Sequence, residues 1–186
     1  MPLARLHAPF DHPDWIYELK YDGWRALAYI EGGTCRLVSR NGNPFKRFAG
    51  LSAGIAAAVP GRVVLDGEIA CLDGDGRPQF WELMRRRIAP TFCAFDILLL
   101  NGRDLRGLSL VERKRSLQPL VKPPLLYVDH IEARGVDLFK SACRLDLEGI
   151  VAKLANGRYE SRATTWVKIN RMYSQAEGRA EFFNGR

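Results

Sequence analysis

The sequence contains no apolar run that approaches the ~20 residues needed by a membrane-spanning helix. Its first residues, MPLARLHAPFDHPDW, lack the apolar core that marks a secretory signal peptide. It has no internal repeat, no low-complexity segment and no linker-like stretch. These absences argue against a membrane protein and predict a cytoplasmic location.

Histidine and cysteine are scarce, with three and four residues respectively. The cysteines, Cys35, Cys71, Cys93 and Cys143, are scattered, and none forms a C-x-x-C pair. A disulfide framework or a zinc site would need closely spaced cysteine or histidine residues. We therefore predict reduced cysteines, several of them in the core, and no metal site built from them.

Arginine, by contrast, is abundant. The 186 residues include 21 arginines and 7 lysines and carry a formal net charge of +7. The arginine fork matches the geometry of phosphate, so this balance favours nucleotides or nucleic acid as ligands. The hydrophobic content of 47% is ordinary for a globular protein and sufficient for the core of one large domain or two very small ones.

Apolar runs separated by turn residues predict the secondary structure. Strands are predicted over 14–19, 24–31, 35–40, 62–72, 91–100, 125–131, 148–154 and 164–170. Helices are predicted over 48–59, 80–87, 109–121 and 135–146, with Ser109 as N-cap and Glu112 completing a capping box in the third. This pattern indicates an α+β fold with mostly antiparallel sheets flanked by helices.

Charged residues stand at or near the ends of several predicted strands, in the stretches ELKYDGWR, SRNG, LDGEI, FCAFDIL, LEGIVAK and WVKIN. Taken singly, each has a plain structural explanation; KYDG, for example, reads as an ordinary turn. Glu68 is harder to explain, because it lies in a run otherwise suited to burial. A buried carboxylate is costly unless it is paired, hydrogen-bonded or bound to metal.

In this order, the six stretches resemble the motif series of the covalent nucleotidyltransferases, which include ATP-dependent DNA ligases, RNA ligases and mRNA capping enzymes. The resemblance is to the adenylation domain of bacterial ATP-dependent DNA ligases in particular, and it covers about residues 13 to 178. It implies a nucleotide cleft between two sheets in an ATP-grasp-like arrangement. It also implies an adenylation domain over 1–178, a C-terminal tail over 179–186 and a bacterial, cytoplasmic setting.

The resemblance implies a role for each motif residue. Lys20 would attack the α-phosphate of ATP and become lysyl-AMP, Glu18 would accept a hydrogen bond from the adenine amino group, and Phe95 would stack on adenine. The remaining ATP-binding residues would hold the ribose and the phosphates. These are Arg25, Arg40, Glu68, Lys153 and Lys168.

The implied cofactors are ATP and Mg²⁺ or Mn²⁺, with Glu148, Glu68 and Asp22 as candidate metal ligands. Magnesium prefers hard oxygen ligands and keeps several waters, so a few carboxylates suffice. A free lysine has a pKa near ~10.4 and is protonated at neutral pH. Nearby cations, a metal ion and desolvation would favour the neutral amine that can act as nucleophile.

The sequence departs from the family in two places. The last strand of the family usually reads W-x-K-x-K, whereas WVKIN has Asn170 at the second lysine position, with Arg171 directly after it. Family ligases also continue into an OB-fold domain of ~100 residues that this sequence does not contain. We therefore expect an adenylation domain alone, natural or truncated; the family-like lead-in after Met1 favours a natural start.

Three functions are compatible with these residues. The first is an ATP-dependent DNA ligase or ligase-like adenylyltransferase that acts on nicked or broken duplex DNA, with a separate protein supplying the OB-fold or end-binding function. The second is an RNA ligase or RNA-end adenylyltransferase. The third is a catalytically weakened module that binds nucleic-acid ends, which Asn170 and the missing OB-fold domain would favour.

Overall fold

The computed structural model describes residues 4–85, 87–160 and 166–171, and the strands in these ranges form two β-sheets. We call sheet A the one whose strands run in the order β1, β11, β10, β2, β9. Its strands are β1 (Ala4–Leu6), β2 (Trp15–Leu19), β9 (His130–Glu132), β10 (Gly149–Leu154) and β11 (Trp166–Asn170). Neighbours in sheet A are antiparallel except β1 and β11.

Sheet B has the order β4, β3, β5, β6, β7, and β8 pairs alongside β6. Its strands are β3 (Trp24–Glu31), β4 (Thr34–Ser39), β5 (Val63–Ala70), β6 (Thr91–Leu100), β7 (Arg103–Asp104) and β8 (Leu125–Tyr127). Only the β6–β8 pair of this sheet is parallel. The predicted α+β fold with mostly antiparallel sheets is thus confirmed, and no OB-fold domain is present in the described ranges.

Four α-helices lie in the described ranges: α1 (Ala49–Ala58), α2 (Phe80–Arg85), α3 (Leu110–Leu117) and α4 (Gly135–Arg144). Short 3₁₀ turns precede α1 and follow α3. The predicted capping box is confirmed, because the Ser109 side chain accepts from the Glu112 amide while Glu112 accepts from the Ser109 amide. None of the helices described is long and apolar enough to span a bilayer.

Two main apolar clusters support the sheets. The larger one joins sheet B to α1 and α3 through residues such as Ile55, Leu65 and Leu117. The second joins sheet A to α4 through Tyr17, Ala142 and neighbouring strand residues. Helix α1 packs on sheet B and α4 packs on sheet A, whereas α3 packs on β6 of sheet B and also contacts residues of sheet A.

One predicted strand is wrong as a single element. The run over 125–131 forms two short strands, because β8 pairs with β6 of sheet B while β9 pairs with β2 of sheet A. Val128 and Asp129 lie between them, so the chain crosses from one sheet to the other at that point. An unbroken apolar run shows that a segment is buried but does not show which neighbour it pairs with.

Other differences are small. Strands β1 and β7 were not predicted from sequence, and most element ends differ by one or two residues. The four cysteines are free, with Cys71 and Cys93 buried and the other two partly buried, in agreement with the prediction. The predicted tail over 179–186 and the start of the last predicted strand, 164–165, lie outside the described residues.

Candidate active site

A cavity of about 430 Å³ lies between the two sheets and is lined by residues of both. Sheet A contributes residues of β2, β10 and β11, and sheet B contributes residues of β3, β5 and β6. The lining residues are Glu18, Leu19, Lys20, Tyr21, Arg25, Arg40, Glu68, Phe95, Val128, Val151, Lys153, Trp166 and Lys168. The predicted cleft between sheets is therefore present.

The structure gathers most of the predicted site residues at this cavity. All the predicted nucleophile and ATP-binding residues line it, namely Lys20, Glu18, Arg25, Arg40, Glu68, Phe95, Lys153 and Lys168. Glu148 does not line the cavity but forms an ion pair with Lys20. Asp22 lies in the turn between β2 and β3 and is not among the lining residues, so its role as a metal ligand stays a prediction.

Lys20 is held at the end of β2 by the neighbouring strand β10. Its amide donates a hydrogen bond to the carbonyl of Gly149 at 3.0 Å, which continues the antiparallel pairing beyond Leu19. Its ammonium forms an ion pair with Glu148, and both side chains are largely buried, at 19% and 10% exposed. Lys20, the first residue after β2, thus brings one cation and one carboxylate together beside the cavity.

Gly149 allows strands β10 and β11 to lie close together next to Lys20 and Glu148. Its φ is +148°, and a Cβ at this position would lie 2.2 Å from the carbonyl oxygen of Ile169 on β11. A residue with a side chain would have to push β10 away from β11 and so displace Glu148 from Lys20. Because the clash is with backbone, relaxation is expensive.

Gly149→Ala is expected to destabilise the protein by roughly 1–3 kcal/mol, the usual cost of forcing a side chain into such a backbone conformation. Chemical denaturation of both proteins measures the difference. Gly107→Ala is a matched control, because nothing lies within 4 Å of its Cβ position. Equal losses in the two variants would contradict the close approach of β10 and β11.

Glu18 is 2% exposed, and ion pairs with two lysines stabilise its ionised form. Lys114 Nζ lies 2.6 Å from Oε1, and Lys153 Nζ contacts Oε2. Burial by itself would raise the pKa of Glu18, but the two ammonium groups outweigh it and hold the pKa below its usual value. Glu18 therefore presents a fixed acceptor to the cavity.

Aromatic rings and cations alternate along the cavity wall. Phe95 and Trp166 meet edge to face, with their centroids 5.7 Å apart. Lys153 Nζ lies 4.4 Å from the centroid of Phe95 and 4.0 Å from that of Trp166. Arg25 also lies over both rings, at 5.5 and 5.3 Å. Such cation–π contacts position the charges without neutralising them.

Arg25 is oriented by a buried carboxylate. Its guanidinium donates to Asp66 in a bidentate arrangement, at 3.1 and 2.7 Å, and the hydroxyl of Tyr159 donates to the same carboxylate at 2.8 Å. Asp66 is fully buried, so these donors compensate for its lost hydration. The arrangement leaves Arg25 rigid beside the cavity.

Glu68 has a displaced acid–base equilibrium. It lies opposite Arg25 on β3 and Cys93 on β6. Burial raises the pKa of Glu68 to about 8; Lys20 and Arg25 oppose the rise, while Asp66 and Glu148 add to it. At neutral pH and without a bound cation, Glu68 is therefore mainly a neutral acid that can donate a hydrogen bond.

The free energy of unfolding is expected to fall between about pH 5 and 8 because of this residue, by up to about 1 kcal/mol per pH unit. The folded protein keeps a proton on Glu68 that the unfolded chain, with a carboxyl pKa near 4.5, has already lost. Denaturation at a series of pH values, in buffer with EDTA, measures this slope.

Glu68→Gln should flatten the pH dependence, since glutamine cannot titrate. Glu132→Gln, at an exposed position on β9, is the matched control and should leave the slope as in the parent protein. A slope unchanged by Glu68→Gln would contradict the raised pKa.

The carboxylates near Lys20 are compatible with a magnesium ion that arrives with phosphate. In the described part of the chain, no cluster of three or more His, Cys, Asp or Glu is placed to hold a metal. Proteins usually bind Mg²⁺ through one or two carboxylates together with substrate phosphates and waters. Glu148, in contact with Lys20, and Glu68, on the cavity wall, supply hard oxygen donors of this kind.

Several residues of the site were missed from sequence. Lys114 and Arg113 on α3 are buried, and Arg113 pairs with the buried Asp96. A signal was available, because Leu110, Lys114 and Leu117 share one face of the helix, so a charge stands at a core position. Tyr159 gave no such signal, because it lies outside any regular element.

The last strand departs from the family pattern at Asn170, which takes the place of the second lysine. Asn170 pairs with Gly149 in the sheet, and its side-chain oxygen is buried without a hydrogen-bond partner. Arg171 does not replace the missing lysine at the cavity, because its guanidinium forms an ion pair with Asp146 and reaches the carbonyl of Cys143 at the end of α4. Lys168 remains as the lysine that β11 presents to the cavity.

Comparison with known proteins finds end-joining and DNA ligase-like proteins of bacteria among the relatives. The LigD multifunctional non-homologous end joining protein of Pseudomonas aeruginosa is 36% identical over 178 residues, which cover 90% of this chain and 21% of that protein. The SPbeta prophage-derived DNA ligase-like protein LigB of Bacillus subtilis is 30% identical over 180 residues, covering 91% and 66%. The chain thus spans about a fifth of the length of the LigD protein.

Solved structures and family models agree with these relatives. The mycobacterial DNA ligase D, solved in complex with ATP and MES, superposes with a TM-score of 0.77 at 30% identity, covering 91% of this chain and 60% of that one. A family model described as ATP dependent DNA ligase domain matches residues 4–170. Because that match takes in both sheets and all the site motifs, the chain belongs to the family of ATP-dependent DNA ligase domains.

Proposed function

We propose that this chain is the adenylation domain of an ATP-dependent DNA ligase, in which Lys20 accepts AMP from ATP and passes it to the 5′-phosphate of a DNA break. The observation that carries the proposal is the placement of Lys20. It lines a cavity between two sheets, forms an ion pair with Glu148, and shares that cavity with the aromatic rings and cations described above. The extent 1–178 for this domain stays a prediction, since the residues after 171 are not described.

The first step forms one bond and breaks another. The neutral amine of Lys20 attacks the α-phosphorus of ATP, a P–N bond forms, the bond to the β-phosphate oxygen breaks, and pyrophosphate leaves. Lys20 must lose a proton before or during the attack. The ion pair with Glu148 holds Nζ in place and gives the departing proton an adjacent carboxylate.

The inner part of the cavity suits a base. Phe95 and Trp166 supply aromatic surface, and Glu18 supplies a fixed ionised acceptor beside them. An ionised carboxylate can only accept hydrogen bonds, so it recognises an N–H donor such as the amino group of adenine. Glu68, mainly protonated near neutrality, can donate a hydrogen bond to a ribose hydroxyl.

The cations of the cavity suit phosphates. Arg25, Arg40 and Lys168 line the cavity, and Lys153 also lines it with its ammonium against Glu18. These cations would stabilise the negative charge that accumulates on the α-phosphate and on the leaving pyrophosphate. A bound Mg²⁺ ion, held by Glu148 or Glu68, would add further charge neutralisation there.

In the later steps AMP moves from Lys20 to a 5′-phosphate, and a 3′-hydroxyl attacks that phosphate and expels AMP. The substrate is a polyanion, which matches the net charge of +7. The names of the LigD relatives refer to end joining, which supports broken or nicked duplex DNA as substrate. A separate protein or domain would supply the OB-fold function, and we keep the cytoplasmic location as a prediction.

The test is direct. The purified chain is incubated with Mg²⁺ and α-labelled ATP, and the products are separated on a denaturing gel. Label retained on the protein supports the adenylyltransferase, whereas no label from folded protein would overturn it for this chain and favour an end-binding module. Sealing of a nicked duplex with all-DNA strands, compared with one carrying RNA on the 3′ side, then separates a DNA ligase from an RNA ligase.

A further inference from the structure

We propose that Lys114 is a positioning residue through which this site recognises the 6-amino group of the purine, by holding the Glu18 carboxylate fixed and ionised. This inference rests on the proposed function, because it names the part of the nucleotide that the same cavity selects. Lys114 belongs to none of the motifs that identify the family, and it reaches the site from helix α3.

Lys114 is bound by three partners that leave it little freedom. It is 1% exposed, its Nζ lies 2.6 Å from Glu18 Oε1, and it donates to the carbonyl oxygen of Val128 at 2.8 Å. The ring of Tyr127 lies 4.8 Å away and adds a cation–π contact. These contacts hold the ammonium group of Lys114 in one position, unlike that of a mobile surface lysine.

The two lysines on Glu18 approach it from different sides. Lys153 lines the cavity, where a nucleotide phosphate competes for its ammonium. Lys114 is not a lining residue and contacts Oε1 from the side of α3. When Lys153 turns toward phosphate, Lys114 still balances the buried carboxylate, which would otherwise take up a proton and become a donor.

The ionised carboxylate is therefore expected to discriminate between purines that have a hydrogen-bond donor at this edge and purines that do not. A carboxylate fixed in the ionised state accepts the 6-amino hydrogen bond of adenine. It gains nothing from a purine that lacks a donor at this edge. Val128, which lines the cavity and accepts from Lys114, ties the crossing between β8 and β9 to the same carboxylate.

The experiment measures binding in the absence of chemistry. Titration calorimetry with EDTA and no metal gives the Kd of the full chain for ATP and for purine riboside triphosphate, which lacks the amino group. The parent protein should prefer ATP by roughly tenfold to a hundredfold, the effect of one hydrogen bond to a charged group. Lys114→Met should bring this ratio close to one, mainly by weakening ATP binding.

Three further variants make the result specific: Arg115→Met, Glu18→Gln and Glu18→Gln/Lys114→Met. Arg115→Met removes a neighbouring charge on the exposed face of α3 and should keep the parent ratio. In a Glu18→Gln background the carboxylate that Lys114 holds is absent, so adding Lys114→Met should change the ratio no further. The Glu18→Gln and Glu18→Gln/Lys114→Met variants also carry the test if Lys114→Met alone fails to fold. Neither of them has a carboxylate at position 18 that could be left buried without its cation.

The outcomes separate the two proposals. A parent protein that binds neither nucleotide would overturn the proposed function and this inference together. A parent protein that prefers ATP, combined with an unchanged preference in Lys114→Met, would overturn the inference alone. A further change of the ratio in the Glu18→Gln background would also overturn it, because Lys114 would then act by a route other than Glu18.

Discussion

Lys20→Ala is expected to abolish the covalent AMP label, not merely to reduce it. The P–N bond of the proposed intermediate forms on Nζ of this residue, and an alanine offers no nucleophile. The surrounding cations cannot restore the reaction in this variant, because they stabilise charge but do not attack phosphorus. Label on a denaturing gel, after incubation with Mg²⁺ and α-labelled ATP, measures the effect.

Lys140→Ala is the matched control, because this lysine lies exposed on α4 and has no place in the cavity. It should be labelled as strongly as the parent protein. Label that survives in Lys20→Ala would show that another residue is the nucleophile. Circular dichroism of the variant separates lost chemistry from lost fold. A folded spectrum is expected because the backbone hydrogen bond from residue 20 to Gly149 does not depend on the lysine side chain.

The second large effect concerns stability. Arg113→Met should destabilise the protein by roughly 3–5 kcal/mol, because it leaves the fully buried Asp96 without its cation. Arg113 donates to both carboxylate oxygens, at 2.8 and 2.9 Å, and its Nη1 also reaches the carbonyls of Leu108 and Gly157. Urea denaturation of the parent protein and the variant measures the loss.

A double variant shows whether the unpaired charge is the cause. Asp96→Asn retains an oxygen for the amide of Ile97 and removes the charge, so Arg113→Met/Asp96→Asn should recover part of the loss. Arg115→Met, on the exposed face of the same helix, should stay within about 0.5 kcal/mol of the parent. A small loss in Arg113→Met would contradict a buried, essential pair.

The effect of Arg113 reaches the cavity through the chain segment that it holds. Gly157 lies two residues before Tyr159, whose hydroxyl donates to Asp66, and Asp66 in turn orients Arg25. Loss of Arg113 is therefore expected to weaken phosphate binding as well as stability. The buried pair of Arg113 and Asp96 is thus connected, through residues 157–159 and Asp66, to Arg25 at the cavity.

The regular elements were largely predictable because each depends on local pattern. The strands over 24–31 and 91–100 have the predicted bounds, and the capping box at Ser109 and Glu112 is present as expected. Alternation and capping are properties of neighbouring residues, so they can be read without the fold. The run over 125–131 was wrong because its break is decided by two separate pairing partners.

The motif residues were predictable for a different reason. The resemblance of the motif series to that of ATP-dependent DNA ligases supplied the predicted nucleophile and ATP-binding residues, and the fold brings all of them to one cavity. They are Lys20, Glu18, Arg25, Arg40, Glu68, Phe95, Lys153 and Lys168. Their individual roles remain predictions. Glu148 also lies at the site, in contact with Lys20, while Asp22 is not on the cavity wall.

The sequence by itself indicated the fold class, through its local apolar pattern, and the family, through the resemblance of its motif series to that of ATP-dependent DNA ligases. The same resemblance supplied the candidate site residues. Only the tertiary structure decided which charges neutralise one another. The pairs Glu18–Lys114, Asp66–Arg25 and Asp96–Arg113 join residues far apart in the chain, and no local pattern specifies them. The reason is physical: burial makes an unpaired charge costly, and the partner that balances it is whichever cation the packed sheets and helices bring within hydrogen-bond distance.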